Sequence, residues 1–244
     1  MKAGRSPPRA AAAAAAWQAS WLDAQGPLQM RAWRAVEAQH VVATMRLVDT
    51  LDEQSVLEQI LEASKPPLPP TAAGKHFLLS TPFRYRSPYP SRFRPAHAAG
   101  IWYGAASVAT ACAETAYWRW RFVMDSNGLR DAELLTEHTV FAAQVAGIGV
   151  DLMIVPWSRS RKLWTHPNDY SATQSLAVAA RSRGLQVLRY ESARDPGGAC
   201  CAVLDVQALQ NVDLASQQTW HCRTTSAAVR MIHGSEGHEW RFEG

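Results

Sequence analysis

The chain is short of the features that announce several protein classes. No apolar run reaches the roughly 18 residues a membrane helix needs, so no span is expected. Charged residues are only 19% of the total, which argues against long solvated helices. The net charge of +4 is too small an excess for a nucleic-acid binder, and no helix-turn-helix pattern accompanies it. It suits an anionic small molecule or an acidic partner. There are four cysteines, Cys112, Cys200, Cys201 and Cys222. None stands in a C-x-x-C pair, and the adjacent Cys200 and Cys201 are badly placed to bridge. They predict reduced, buried thiols in a cytoplasmic protein. His233 and His238 are five apart, which does not put them on one helical face, so no metal site is expected. Asp195-Pro-Gly-Gly is not the G-x-G-x-x-G of a dinucleotide fold, and no serine sits in a G-x-S-x-G elbow.

What is present is enough for one good core in 244 residues, 47% of them hydrophobic. Residues 1–26 begin with basic residues and an alanine run, and read as a disordered leader rather than a signal peptide. Residues 27–70 read as a helical extension with a proline-rich linker. Trp33, Val36, Val41, Met45 and Val48 suggest a first helix. Thr50 and Glu53 form a capping box for a second, striped with Val56, Leu57, Ile60 and Leu61. Lys65-Pro-Pro-Leu-Pro-Pro-Thr71 closes it. The main domain, 71–244, reads as mixed α+β. Strands are expected at His76–Arg86, in Gly100-Ile-Trp-Tyr-Gly-Ala105, and at Thr139–Val145, Leu185–Ser192, Cys200–Val206 and His238–Glu243. Ser107 caps a helix to about Phe122. Ser171 and Gln174 suggest a capping box for a helix that Gly184 ends. Ser158-Arg-Ser-Arg-Lys162 reads as a solvated loop.

One residue is out of place in this pattern. On a wheel, Val108, Ala111, Cys112, Thr115 and Phe122 share the packing face of the helix after Ser107. Glu114 lies at its edge. Its neighbours at i±3 and i±4 are Thr110, Ala111, Tyr117 and Trp118, none cationic. It is also the sole carboxylate between Lys65 and Met124. A carboxylate beside aromatic residues at the rim of an apolar face is a candidate for a cleft.

The ordered segments Ser91-Arg-Phe-Arg, Ile101-Trp-Tyr-Gly-Ala, Thr110-Ala-Cys-Ala-Glu-Thr-Ala-Tyr117, Asp169-Tyr-Ser-Ala-Thr-Gln174 and Leu188-Arg-Tyr-Glu-Ser192 resemble the RES domain family. That family supplies the toxin half of a class of bacterial toxin–antitoxin pairs. On this resemblance the family's arginine and aromatic fall on Arg92 and Phe93, its tyrosine on Tyr103, its glutamate on Glu114 and its serine on Ser192. Asp169, Tyr170, Thr173 and Gln174 match an intermediate motif. The likeness runs from about His76 to Asp205. Two departures stand out. The arginine sits in Pro90-Ser91-Arg92-Phe93-Arg94 instead of after paired glycines and before Trp-Asn, so Arg84, Arg86 and Arg94 are rivals. After the serine, Gly197 and Gly198 lead to Ala199 and Cys200 with no asparagine.

The resemblance implies a fold like that of ADP-ribosyltransferases and an activity that consumes NAD as substrate, with no cofactor. The residue types suit it. Nicotinamide leaves NAD as a neutral molecule, so no acid is needed and one carboxylate suffices, unlike the usual pair in O-glycoside hydrolysis. Glu114 would stabilise the cationic sugar, Arg92 would grip the pyrophosphate, and Tyr103 would face the nicotinamide ring. Phe93, Tyr170, Gln174 and Ser192 would bind substrate around them. Water or inorganic phosphate is the expected acceptor, and an Xre-like antitoxin the expected partner. A protein-directed ADP-ribosyltransferase, and a binding module with a degenerate pocket, remain as alternatives. The N-terminal extension is then a dock for antitoxin or target.

Overall fold

The structure is a computed structural model, and it describes residues 17–38, 44 and 47–242. Eight strands form one mixed sheet: β1 (Gly26–Glu37), β2 (Trp102–Ala105), β3 (Leu134–Asp151), β4 (Val187–Glu191), β5 (Ala199–Val203), β6 (Leu209–Thr224), β7 (Val229–His233) and β8 (Glu236–Trp240). Their order is β1-β2-β5-β4-β3-β6-β7-β8, and β1 also pairs with β3. The pairings of β1, β2, β5, β4 and β3 therefore close into a ring. Only β3–β4 is parallel. The helices are α1 (Leu51–Ser64), α2 (Phe77–Arg84), α3 (Val108–Met124), the single turn α4 (Arg161–Trp164) and α5 (Ser171–Ser182). The α+β expectation holds.

The largest departure from expectation lies at the N-terminus. Residues 27–37 are not helical. They belong to β1, which pairs antiparallel with β3 from Gly26↔Gly149 to Glu37↔His138. Leu28, Met30, Ala32 and Val36 alternate onto one apolar cluster. This period of two competes with the sparse helical spacing of Trp33 and Val36, and a full-length partner strand decides the contest. Val41 and Met45, assigned to the same helix, lie outside the described residues. Of the expected leader, residues 1–16 lie outside the described residues, and residues 17–26 are structured. Trp17 and Leu22 are buried, and Trp17 and Trp21 pack on the Trp157 ring at 5.9 and 5.4 Å. Residues 17–37 are thus part of the main domain's core and sheet, with no boundary between them.

Other local expectations divide the same way. Thr50 and Glu53 do form a reciprocal capping box at α1, although Val56, Ile60 and Leu61 are exposed. His76–Arg86 is not a strand. It holds α2, whose first turn is capped by His76 Nδ1 accepting from the Leu78 amide at 3.2 Å. Leu79 and Phe83, four apart, turn into the core. A short apolar run does not by itself separate helix from strand. Ser107 caps α3 as expected, accepting from the Thr110 amide. Gly184 ends α5 at φ 74°, with Leu185 and Gly184 donating to Ala180 and Arg181 in a Schellman arrangement. The Ser171 capping box is absent. Tyr170 is the N-cap, and the Gln174 side chain is used elsewhere. All four cysteines are free and buried.

Candidate active site

A cleft of about 470 Å³ opens between α3 and the β1–β2 edge of the ring. Glu114 lines it from the second turn of α3, together with Thr115 and Trp118. Among the described residues Glu114 has no ion pair. Its one side-chain hydrogen bond among the described residues is with Ser192, whose Oγ donates to Oε1 at 2.6 Å. Ser192 is 1% exposed and stands just past β4. Its hydroxyl also accepts from the amides of Arg194 and Asp195, both at 3.0 Å. Two acceptor contacts and one donor contact leave that hydroxyl a single orientation.

The loop after Ser192 is tied to the start of α3. Thr110 Oγ1 donates to Asp195 Oδ2 at 2.6 Å. A Cβ at Gly198 would lie 2.5 Å from that carboxylate oxygen and 2.7 Å from the threonine oxygen. A side chain at the second glycine of the Pro-Gly-Gly turn would therefore push the Thr110–Asp195 contact apart. Ser192 and Glu114, 78 residues apart in sequence, meet because this turn staples β4, β5 and α3 together.

Arg92 also lines the cleft and is 6% exposed. Its Nη1 donates to the backbone oxygens of Trp164 and His166, each at 2.9 Å. Its guanidinium lies 4.8 Å from the Tyr170 ring centroid. Nη2 and Nε make no hydrogen bond among the described residues, which leaves three N–H donors for a ligand. The rival arginines are elsewhere. Arg84 pairs with Glu62, Arg94 folds onto Ser87 and Tyr89, and Arg86 is exposed. Tyr103 lines the cleft from β2. Its hydroxyl is 2.8 Å from Ser91 Oγ and accepts from the Phe93 amide at 3.1 Å. Burial pushes its phenol up. The phenol of Tyr170 is raised for the same reason.

Two residues expected at the substrate stand behind the cleft wall. Phe93 is fully buried and packs edge-on against Tyr190 at 4.7 Å. Gln174 Nε2 donates to the Ser91 carbonyl at 2.9 Å. Thr173 Oγ1 donates to the Arg92 carbonyl. The start of α5 therefore grips the backbone of the arginine loop from behind. Asp169 accepts from the Ser171 amide at 2.9 Å and shapes the entry to α5.

Sequence reasoning missed several lining residues. Tyr190 is buried, and burial pushes its phenol well up. It shares a strand face with Ser192, and that alternation was the available signal. Arg194 lies over the Tyr117 ring at 3.2 Å, and its Nη2 donates to the Pro167 carbonyl at 2.6 Å. Arg34, on β1, is half-buried, and desolvation of its guanidinium lowers its pKa to about 10. Its Nη1 donates to the Tyr103 carbonyl at 2.9 Å, where β1 and β2 part after the Trp33↔Ala105 bridge. No signal in the sequence marks Arg194 or Arg34. Among the described residues no group of three His, Cys, Asp or Glu side chains could hold a metal. No helix among them is long and apolar enough to cross a membrane.

A buried serine holds one carboxylate, an arginine is fixed by backbone carbonyls, and two tyrosines close round them. The arrangement sets one carboxylate, one arginine with spare donors and two phenols around a single cleft. The chain belongs to the RES domain family, whose pattern matches residues 68–225. Among solved structures it is similar to a chain from the crystal structure of the M. tuberculosis MbcT–MbcA toxin–antitoxin complex. The two are 13% identical with a TM-score of 0.46, over 85% of this chain and 92% of that one. A comparison with curated proteins finds no match.

Proposed function

We propose that this protein cleaves the nicotinamide–ribose bond of NAD and passes ADP-ribose to water or inorganic phosphate, as the toxin of a toxin–antitoxin pair. The observation that carries the reading is the Ser192–Glu114 contact of 2.6 Å. It fixes one carboxylate oxygen in a cleft that Arg92 and Tyr103 also line.

The chemistry follows from these groups. The bond between C1′ of the ribose and the ring nitrogen breaks, and its electron pair stays with the nitrogen. Nicotinamide leaves neutral, so the site needs no general acid. Positive charge develops on the ribose. Glu114 Oε1 is held by Ser192, while Oε2 makes no hydrogen bond among the described residues. That oxygen is free for a ribose hydroxyl and stabilises the cation as it forms. The three unused donors of Arg92 suit the pyrophosphate, with Arg194 adding positive charge nearby. The faces of Tyr103 and Tyr170 suit the nicotinamide ring. Water attacks C1′ and loses a proton to give ADP-ribose. Phosphate in its place gives the 1-phosphate of ADP-ribose.

Family membership supports the toxin role, a bacterial source, an Xre-like antitoxin and a cytoplasmic site of action, where NAD is abundant. The test is nicotinamide release from NAD by the purified protein, with and without inorganic phosphate, beside Glu114→Gln. Release that falls at least about a thousandfold in Glu114→Gln is expected. Release that persists in that variant overturns the assignment.

A further inference from the structure

The cleft does not end at Glu114. Its strip on α3 continues through Trp118 and Phe122, four and eight residues on, which carries it about 12 Å along the helix. The strand β1 adds Trp33 and Glu37, and β3 adds His138. These residues are neighbours. Glu37 is the register partner of His138, Arg119 Nη1 pairs with Glu37 at 2.7 Å, and the Arg119 guanidinium lies 5.5 Å from the Phe122 ring.

Three features of this far end want a ligand. Trp118 and Phe122 are 47% and 52% exposed on a helix whose other large residues are mostly buried. His138 is 1% exposed, yet its Nδ1 is buried with no partner. Its other nitrogen is 3.1 Å from Thr136 Oγ1. Arg119 Nε is likewise buried and unpartnered. Buried polar atoms nearly always find a hydrogen bond. Two orphans beside two bare aromatic rings describe an empty seat for something flat and polar at its edge.

We propose that this far end is a purine subsite, which seats the adenine of the dinucleotide whose nicotinamide end reaches Glu114; it rests on the NAD reading above. A purine offers two faces for stacking on Trp118 or Phe122. Its edge carries both ring-nitrogen acceptors and an amino donor, so it satisfies His138 Nδ1 in either tautomer. A ring nitrogen also gives Arg119 Nε the acceptor it lacks. A simple anion would leave the aromatic rings uncovered, and a hydrocarbon would leave both orphans unpaired. Burial and the Arg119 charge push the His138 pKa down to about 4. It is therefore a neutral hydrogen-bonding ring near pH 7 and not a second phosphate clamp.

The test is calorimetric titration of the full chain with AMP, with ribose 5-phosphate as the control that lacks the base. The proteins are wild type, His138→Leu and Phe122→Ala. AMP is expected to bind the wild type more tightly than ribose 5-phosphate, and each substitution to weaken AMP about tenfold. In parallel, the ratio of kcat/KM for NAD to that for nicotinamide mononucleotide falls about tenfold in either variant. Phe122 is exposed, so its variant reports even where His138→Leu does not fold. AMP that binds no better than ribose 5-phosphate, or equally to all three folded proteins, overturns the subsite. Base-dependent AMP binding without nicotinamide release by the wild type would keep the subsite and sink the NAD-cleaving reading.

Discussion

Ser192→Ala probes the central contact. The serine hydroxyl donates to Glu114 at 2.6 Å and accepts two amides. A hydrogen bond to a charged group is worth about 1.5–3 kcal/mol. If the transition state depends on where that carboxylate sits, most of this appears in the barrier. The expected loss in kcat is then roughly 10- to 100-fold. KM for NAD should change less than about threefold, since the arginines and aromatic walls that bind the rest of the dinucleotide are untouched. Stability should fall as well, by about 1–3 kcal/mol, because the amides of Arg194 and Asp195 lose their acceptor. Steady-state release of nicotinamide measures the first effect, and urea unfolding the second. A folded Ser192→Ala enzyme with kcat within threefold of wild type, alongside an inactive Glu114→Gln, would refute the idea that Ser192 positions the carboxylate.

Three further outcomes are expected. Arg92→Lys should raise KM for NAD about tenfold or more, because one ammonium does not supply both the clamp on Trp164 and His166 and a fork for phosphate; an unchanged KM would remove Arg92 from substrate binding. His138 is neutral in the fold down to about pH 4, whereas the unfolded chain protonates it near 6.5. The unfolded state therefore holds more protons between these values, and stability should fall as pH drops from 7 towards 4. The slope approaches about 1.4 kcal/mol per pH unit. Urea midpoints at pH 7 and pH 5 should differ less in His138→Leu; an equal difference refutes the assignment. A chain trimmed to 68–244 keeps the family match, β7 and β8 but loses β1 and what precedes it, and should be recovered as aggregate or with exposed apolar surface by dye binding. A soluble trimmed chain with full activity would show that β1 is dispensable.

Part of the candidate site was legible in short local patterns, and the family resemblance supplied Arg92, Tyr103 and Ser192. The helix after Ser107 was visible from its cap and alanine-rich turn, and Glu114 from its lack of any cationic neighbour. The strand before Ser192 showed in its alternation. What the sequence hid is non-local. β1 reads as a helix until β3 is laid beside it, because Trp33 and Val36 fit either period. Gln174 looks like half of a capping box, yet it reaches the Ser91 carbonyl 83 residues away. Phe122 was assigned to the packing face, but it is exposed, and the face holding Ala116, Trp120 and Val123 turns inward instead. Arg34 and Arg194 are single arginines in ordinary contexts, and only the meeting of β1, β2 and the Ser192 turn gives them a place.

The ring formed by β1 through β5 also constrains when the protein comes into being. β1 leaves the ribosome early, but its partner in β3 follows about a hundred residues later. Contacts of such long sequence separation are slow to form, since a large loop must close first. Ser192 and the turn that fixes Glu114 come later still. A nascent chain therefore carries Glu114 well before the candidate site around it can assemble. For a protein read as a poison to the cell that makes it, that delay leaves an interval in which a partner can bind first.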